Sequence, residues 1–81
     1  MEDTPKIYPN PADDQLIVET YSNSPFVVSI YDSVGRLVSR TKQTDSVARI
    51  NTSLFSAGNY VVEVSNGVGL AIARQIVVIA H

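Results

Sequence analysis

The sequence predicts an all-β sandwich of about seven short strands joined in Greek-key fashion. Three observations predict it. The apolar runs are built from Val, Ile, Thr, Tyr and Phe, residues that suit a pleated, half-buried surface. Those runs alternate with period two, and no stretch sustains the 3.6-residue period of an amphipathic helix. Clusters of Asn, Asp, Ser, Gly and Pro interrupt them at intervals of roughly 8–12 residues, the spacing of a sandwich.

Residues 1–5 read as a loose lead, with Met1 as a start residue placed on a domain taken from a longer protein, and residues 6–81 as one domain. KIY (6–8) is a short first strand. Pro9-Asn10-Pro11 then kinks the chain: each proline fixes its own φ near about −65°, pushes the residue before it toward an extended conformation, and cannot donate to a ladder. Asn10 suits the place between them because its side chain can bond local backbone groups.

In QLIVET (15–20), Leu16, Val18 and Thr20 share one face. The Asn23-Ser24-Pro25 break follows. In FVVSIYD (26–32), Phe26, Val28 and Ile30 point one way, against Val27, Ser29 and Tyr31. Asp32 to Gly35 forms a hairpin loop in which Gly35 supplies a positive φ. RLVSRTK (36–42) and SVARIN (46–51) are more polar and read as edge strands, separated by the polar turn Gln43-Thr44-Asp45.

Asn51 is expected to cap a short turn, Leu54 to drop into the core, and Ala57-Gly58 to reverse the chain. Residues 52–56 could hold at most one helical turn. NYVVEVS (59–65) then alternates cleanly, with Tyr60, Val62 and Val64 inward. A Tyr opening this strand just after a Gly fits the tyrosine corner of immunoglobulin-like sandwiches, whose hydroxyl bonds backbone upstream. Asn66-Gly67-Val68-Gly69 carries an Asn-Gly hairpin signal. LAIARQIVVIA (70–80) closes the fold, with Leu70, Ile72, Ile76 and Val78 on one face.

Composition supports a packed domain and narrows its chemistry. The chain has 81 residues, 44% hydrophobic and 17% charged; the average soluble domain carries roughly 25% charged residues. A net charge of −2 and a pI of about 5.0 argue against a nucleic-acid-binding surface. Arg36, Arg40, Lys42 and Arg49 cluster in mid-chain, where they read first as charge protecting solvated sheet edges and second as a patch for an anionic partner. Without cysteine, a disulfide framework, thiol catalysis and thiolate metal ligation are excluded. No apolar run approaches the ~20 residues of a membrane span, and Met1-Glu2-Asp3 does not begin like a secretory signal peptide.

Catalysis finds no support. His81 is the sole histidine and the last residue, expected to fray or to be a tag remnant; a serine nucleophile would lack a base. Adjacent Asp13 and Asp14 read as a solvated lead into a strand, and Asp32 as a turn residue. No phosphate-cradling Gly loop precedes a helix. Tyr8, Tyr21 and Tyr31 are scattered and no Trp is present, so a carbohydrate platform is unsupported. Neither a cofactor nor a metal is expected.

Four blocks carry a resemblance: IYPNPADDQLIVE, VVSIYDSVGRLV, INTSLFSAGNYVVEV and a final ARQIVV. In this order and spacing, from Ile7 to Val78, they resemble the C-terminal sorting domain of the type IX secretion system of Bacteroidetes. The resemblance implies a seven-stranded immunoglobulin-like sandwich that serves as a folded address label for an N-terminally fused, exported cargo. The cargo would pass the periplasm, be recognised by a shuttle protein and the outer-membrane translocon, and reach the surface or medium, where a sortase removes the label.

By position, the family blocks place Pro9, Asn10 and Pro11 in the opening motif, Gly35 and Val38 in the central hairpin, and Gly58 and Tyr60 at the corner. Arg74, Gln75, Ile76, Val77 and Val78 belong to the closing strand. Folding roles are expected for Pro9, Asn10, Pro11, Gly35 and Gly58 ahead of direct contact. The departure is at the end: relatives often finish on a basic residue, whereas Ile79-Ala80-His81 follow here. A closing strand without lysine, if it lies at a sheet edge, would offer backbone groups for strand addition or for strand-exchanged or edge-to-edge dimers. The rival reading is an adhesive or spacer module similar to fibronectin-type domains, which composition and strand count fit equally well.

Overall fold

A computed structural model describes residues 5–20 and 25–81. Seven strands follow one another: β1 (Lys6–Tyr8), β2 (Gln15–Glu19), β3 (Phe26–Tyr31), β4 (Leu37–Gln43), β5 (Val47–Asn51), β6 (Gly58–Asn66) and β7 (Ala71–Ile79). Among the described residues there is no helix. The lead at residues 1–4, Tyr21 and the Asn23-Ser24 break lie outside the described residues.

Two antiparallel sheets result, of order β1-β2-β5 and β4-β3-β6-β7. The polar strands β4 and β5 are therefore edges, as their composition predicts, and the mid-chain cations lie along or beside them. Alternation places the core. Leu16 and Val18 from β2 and Ala48 and Ile50 from β5 meet Phe26, Val28, Ile30, Val62 and Val64 from the facing sheet. Val77 and Ile79 complete it from β7, with 0% and 2% of their surface exposed. A one-residue slip of any of these strands would turn its apolar set to water, so the register is tightly specified.

Both loops within the four-stranded sheet use one device. Asp32 Oδ1 accepts from the N–H groups of Val34 and Arg36 at 3.1 and 2.9 Å, and Gly35 follows with φ 87°. Asn66 Oδ1 accepts from Val68 and Leu70 at 3.0 Å each, and Gly69 follows with φ 90°. The hairpin expected at Asn66-Gly67 is present, but Gly69, not Gly67, takes the left-handed conformation. The Arg36 backbone N–H, against a smaller effect of desolvation, holds the Asp32 carboxyl below its ordinary value; the Arg36 guanidinium at 3.0 Å adds to the effect.

Two expectations, for Leu54 and for His81, need correction. Leu54 does not enter the core: it is 95% exposed, and its neighbour Phe55 packs instead against the Tyr60 ring, centroids 5.4 Å apart. The apolar face of Leu70, Ile72, Ile76 and Val78 is the solvent face of β7. His81 is not a loose end, because both ring nitrogens are engaged.

Candidate functional site: the clasped closing strand

β7 is an edge strand, and the geometry at its outer side answers why the chain opens with Pro9-Asn10-Pro11. Alternate residues of an edge strand turn their N–H and C=O groups away from the sheet. In β7, beyond the register shift near Ile72, these are Arg74, Ile76 and Val78. Val78 donates its N–H to Asn10 Oδ1 at 3.0 Å, and Asn10 Nδ2 donates to the Ile76 carbonyl at 3.2 Å. Two residues on, Ala12 donates to Val78 O and accepts from Ala80 N–H, both at 2.8 Å, forming a parallel bridge beside Ile79.

The side-chain amide of Asn10 thus stands where a strand's peptide group would stand. This corrects the expectation that it bonds local backbone: its partners lie 66 and 68 residues away. Prolines on both sides suit such an insert, since neither has an N–H to leave unpaired. The Tyr8–Pro9 and Asn10–Pro11 bonds are both cis.

The clasp covers only the C-terminal half of the edge. By the same alternation, the backbone of Arg74 and the N–H of Ile76 face outward, with no strand beyond them among the described residues. Arg74 pairs across the sheet with Glu63 at 3.7 Å. Gln75 faces the half-covered inner side, and Val77 is buried.

The corner sits beside the same end. Tyr60 Oη donates to the Ser56 carbonyl at 2.6 Å, as the Gly-x-Tyr pattern predicts. Asn51 Oδ1 accepts from the Ser53 N–H at 2.9 Å, so the expected cap is present. Thr52, with no exposed surface, ties the turn to the opening segment: its Oγ1 donates to Asp13 O at 2.7 Å and its N–H to Asp14 O at 3.0 Å. No pattern in the sequence marks Thr52, because its partners are backbone carbonyls distant in the chain.

His81 secures the strand's exit. Nδ1 lies 2.8 Å from Asp13 Oδ1 and Nε2 lies 2.7 Å from the Phe55 carbonyl. Both neighbours are acceptors, so only the doubly protonated ring satisfies both. The Asp13 hydrogen bond and then the Phe55 carbonyl raise the imidazole pKa above 6.5.

The predicted residues therefore gather in two groups. Asn10, Ile76 and Val78 meet at the clasped edge. Gly35, Tyr60, Arg74 and Ile76 line one open depression of about 550 Å³ where hairpin, corner and closing strand converge. Val38 and Gly58 line a second, adjoining one. Among the described residues no cluster of His, Asp and Glu could hold a metal ion, and no helix is long and apolar enough to cross a membrane.

Comparison with known proteins agrees with this architecture. The family described as "Secretion system C-terminal sorting domain" matches residues 6–79. No curated protein sequence matches the chain. Among solved structures, this chain is similar to part of PorZ of Porphyromonas gingivalis, described as an essential bacterial surface component of the type-IX secretion system. The TM-score is 0.78 at 22% identity over 98% of this chain. The likeness is one of fold, and this chain spans 12% of that protein's length.

Proposed function

The chain belongs to the family of secretion system C-terminal sorting domains, the sorting signal of type IX secretion, and from that premise we propose how it serves its cargo. It is the folded address of a protein fused to its N-terminus, in a bacterium of the Bacteroidetes type. The cargo enters the periplasm by an ordinary signal peptide. A shuttle protein and the outer-membrane translocon then take it up through this domain, and a surface sortase removes the domain outside. Residues 1–5 are the lead-in from the cargo.

The family match over 6–79 carries this reading. The closing strand supports it physically: a strand whose edge is open over its N-terminal half can be read there by backbone pairing. In this account Arg74, Gln75, Ile76, Val77 and Val78 form part of what is read. Pro9, Asn10, Pro11, Gly35, Val38, Gly58 and Tyr60 hold that strand in shape. The open half of the edge also supports edge-to-edge or strand-exchanged pairing of two isolated copies.

The test is delivery of a reporter that carries an ordinary export signal, with and without residues 1–81 at its C-terminus, in a host with a working type IX system. The fusion is expected at the surface or in the medium, while the reporter alone stays periplasmic. A folded fusion that stays in the periplasm of such a host overturns the reading.

A further inference from the structure

The outer face of the four-stranded sheet departs from the polar pattern of a solvated face. Cross-strand register puts Leu37 opposite Tyr31, Tyr31 opposite Val61, and Val61 opposite Ile76. One apolar or aromatic side chain from each strand therefore forms a continuous row across all four strands. Ile76 is 64% and Leu37 47% exposed; Tyr31 and Val61 are half-buried. Such contiguous apolar surface on a small soluble domain marks an interaction site.

The adjacent row is charged. Arg40 stands opposite Ser29, Ser29 opposite Glu63, and Glu63 opposite Arg74. Arg74 and Glu63 pair with each other, while Arg40, among the described residues, reaches the Ser29 hydroxyl at 3.4 Å. Lys42 lies one step further along β4, opposite Val27.

Charge is also divided between the two halves of the molecule. Residues 26–43 and 58–79, which make up the four-stranded sheet and its loops, carry four cations and two carboxylates, whereas the rest of the chain carries two cations and six carboxylates. An acidic protein thus presents one net-positive sheet, with an apolar row across it. Complementary charge of that kind selects and orients a partner.

We propose that this face is a docking surface for a protein segment of the secretion machinery that places aliphatic or aromatic side chains on the Leu37–Tyr31–Val61–Ile76 row and carboxylates against Arg40 and Lys42. The proposal rests on the sorting reading above and gives the partner's chemistry. The side chains of Val61 and Ile76 anchor the contact, because they lie beside the open part of the β7 edge. The segment meets apolar side chains on the face and, at the edge, the outward backbone of Arg74.

The experiment uses the full reporter fusion in a host with a working type IX system. Val61→Thr with Ile76→Thr removes the apolar surface while keeping β-branched side chains that suit a strand. Arg40→Glu with Lys42→Glu reverses the charge. Ile17→Thr with Arg49→Glu, on the outer face of the other sheet, is the control. Each purified domain is melted first, and a variant with a shifted midpoint is replaced by the milder Ile76→Thr or Arg40→Gln alone.

The expected result is a drop in surface delivery of about tenfold or more for both face variants, the size of an anchor-residue loss, with wild-type delivery for the control. Wild-type delivery by both folded face variants overturns the proposal and leaves the sorting reading standing. A periplasmic wild-type fusion overturns the sorting reading itself. Sedimentation of the purified domain gives the remaining outcome: a dimer that Ile76→Thr dissociates assigns the row to a second copy, against the proposal.

Discussion

The amide of Asn10 is bonded to the closing strand as a neighbouring peptide group would be, taking the Val78 N–H at 3.0 Å and giving its own N–H to the Ile76 carbonyl at 3.2 Å. Opening motif and final strand, at opposite ends of the chain, are thereby one structural unit. Its strength is that of two neutral, solvent-accessible hydrogen bonds, and its importance lies in which strand it holds.

Replacing Asn10 tests that unit energetically. Asn10→Ala is expected to cost about 1 kcal/mol, the lower range for two such bonds, read as a shift in the urea midpoint. Asn10→Asp keeps an acceptor for Val78 but turns a carboxylate toward the Ile76 carbonyl, so at neutral pH it should cost at least as much. Equal stability of all three proteins would contradict the clasp.

The corner hydroxyl is testable in isolation. Tyr60→Phe keeps the buried ring and its contact with Phe55 while deleting the donor to Ser56 O. The expected loss is about 0.5–1.5 kcal/mol, measured by the same denaturation.

The second hairpin separates two glycines that look alike in the sequence. Gly69 has φ 90° with open space where a Cβ would sit, so Gly69→Ala suffers only backbone strain, about 1–2 kcal/mol. Gly67 is not at positive φ, and a Cβ there would make an ordinary 3.6 Å contact with Pro25 O. Gly67→Ala should therefore lie within about 0.5 kcal/mol of wild type, or be slightly stabilising. A reversed ranking in thermal melts would contradict the turn geometry.

His81 gives a pH dependence of defined sign. Its folded pKa is raised above 6.5 by Asp13 and the Phe55 carbonyl. Stability from a raised pKa is fully present below the unfolded value, about 6.5, and is lost as pH rises through the folded value. The proton NMR titration of the ring should show a midpoint above 6.5 that falls back in Asp13→Asn. A midpoint at or below 6.5 in the native protein would mean that His81 is not held by these two acceptors.

Much of this was legible in the sequence because strands write their burial in period two. Tyr60, Val62 and Val64 alternate with Val61, Glu63 and Ser65, and only one facing satisfies both sets. The corner was legible for a local reason: Gly58 and Tyr60 lie within four residues of the carbonyl that Tyr60 bonds. Where periodicity stops, legibility stops with it. In the irregular turn after Asn51 nothing distinguishes Leu54 from Phe55 as the inward residue, and the structure chose Phe55. In β7 both faces are apolar, so alternation could not say which was buried. Asn10 looks like a local turn residue in the sequence because the carbonyl and N–H it serves lie on the last strand, and one sequence does not announce contacts over that separation.

The most direct test of the account is hydrogen exchange of the Val78 amide, followed residue by residue in wild type and in Asn10→Ala. The clasp predicts about tenfold faster exchange at Val78 in the variant, the kinetic counterpart of losing about 1.4 kcal/mol of local protection. The Val62 amide, in the middle of the sheet, should slow or quicken only with global stability. Unchanged exchange at Val78 would contradict the claim that Asn10 holds the closing strand's edge.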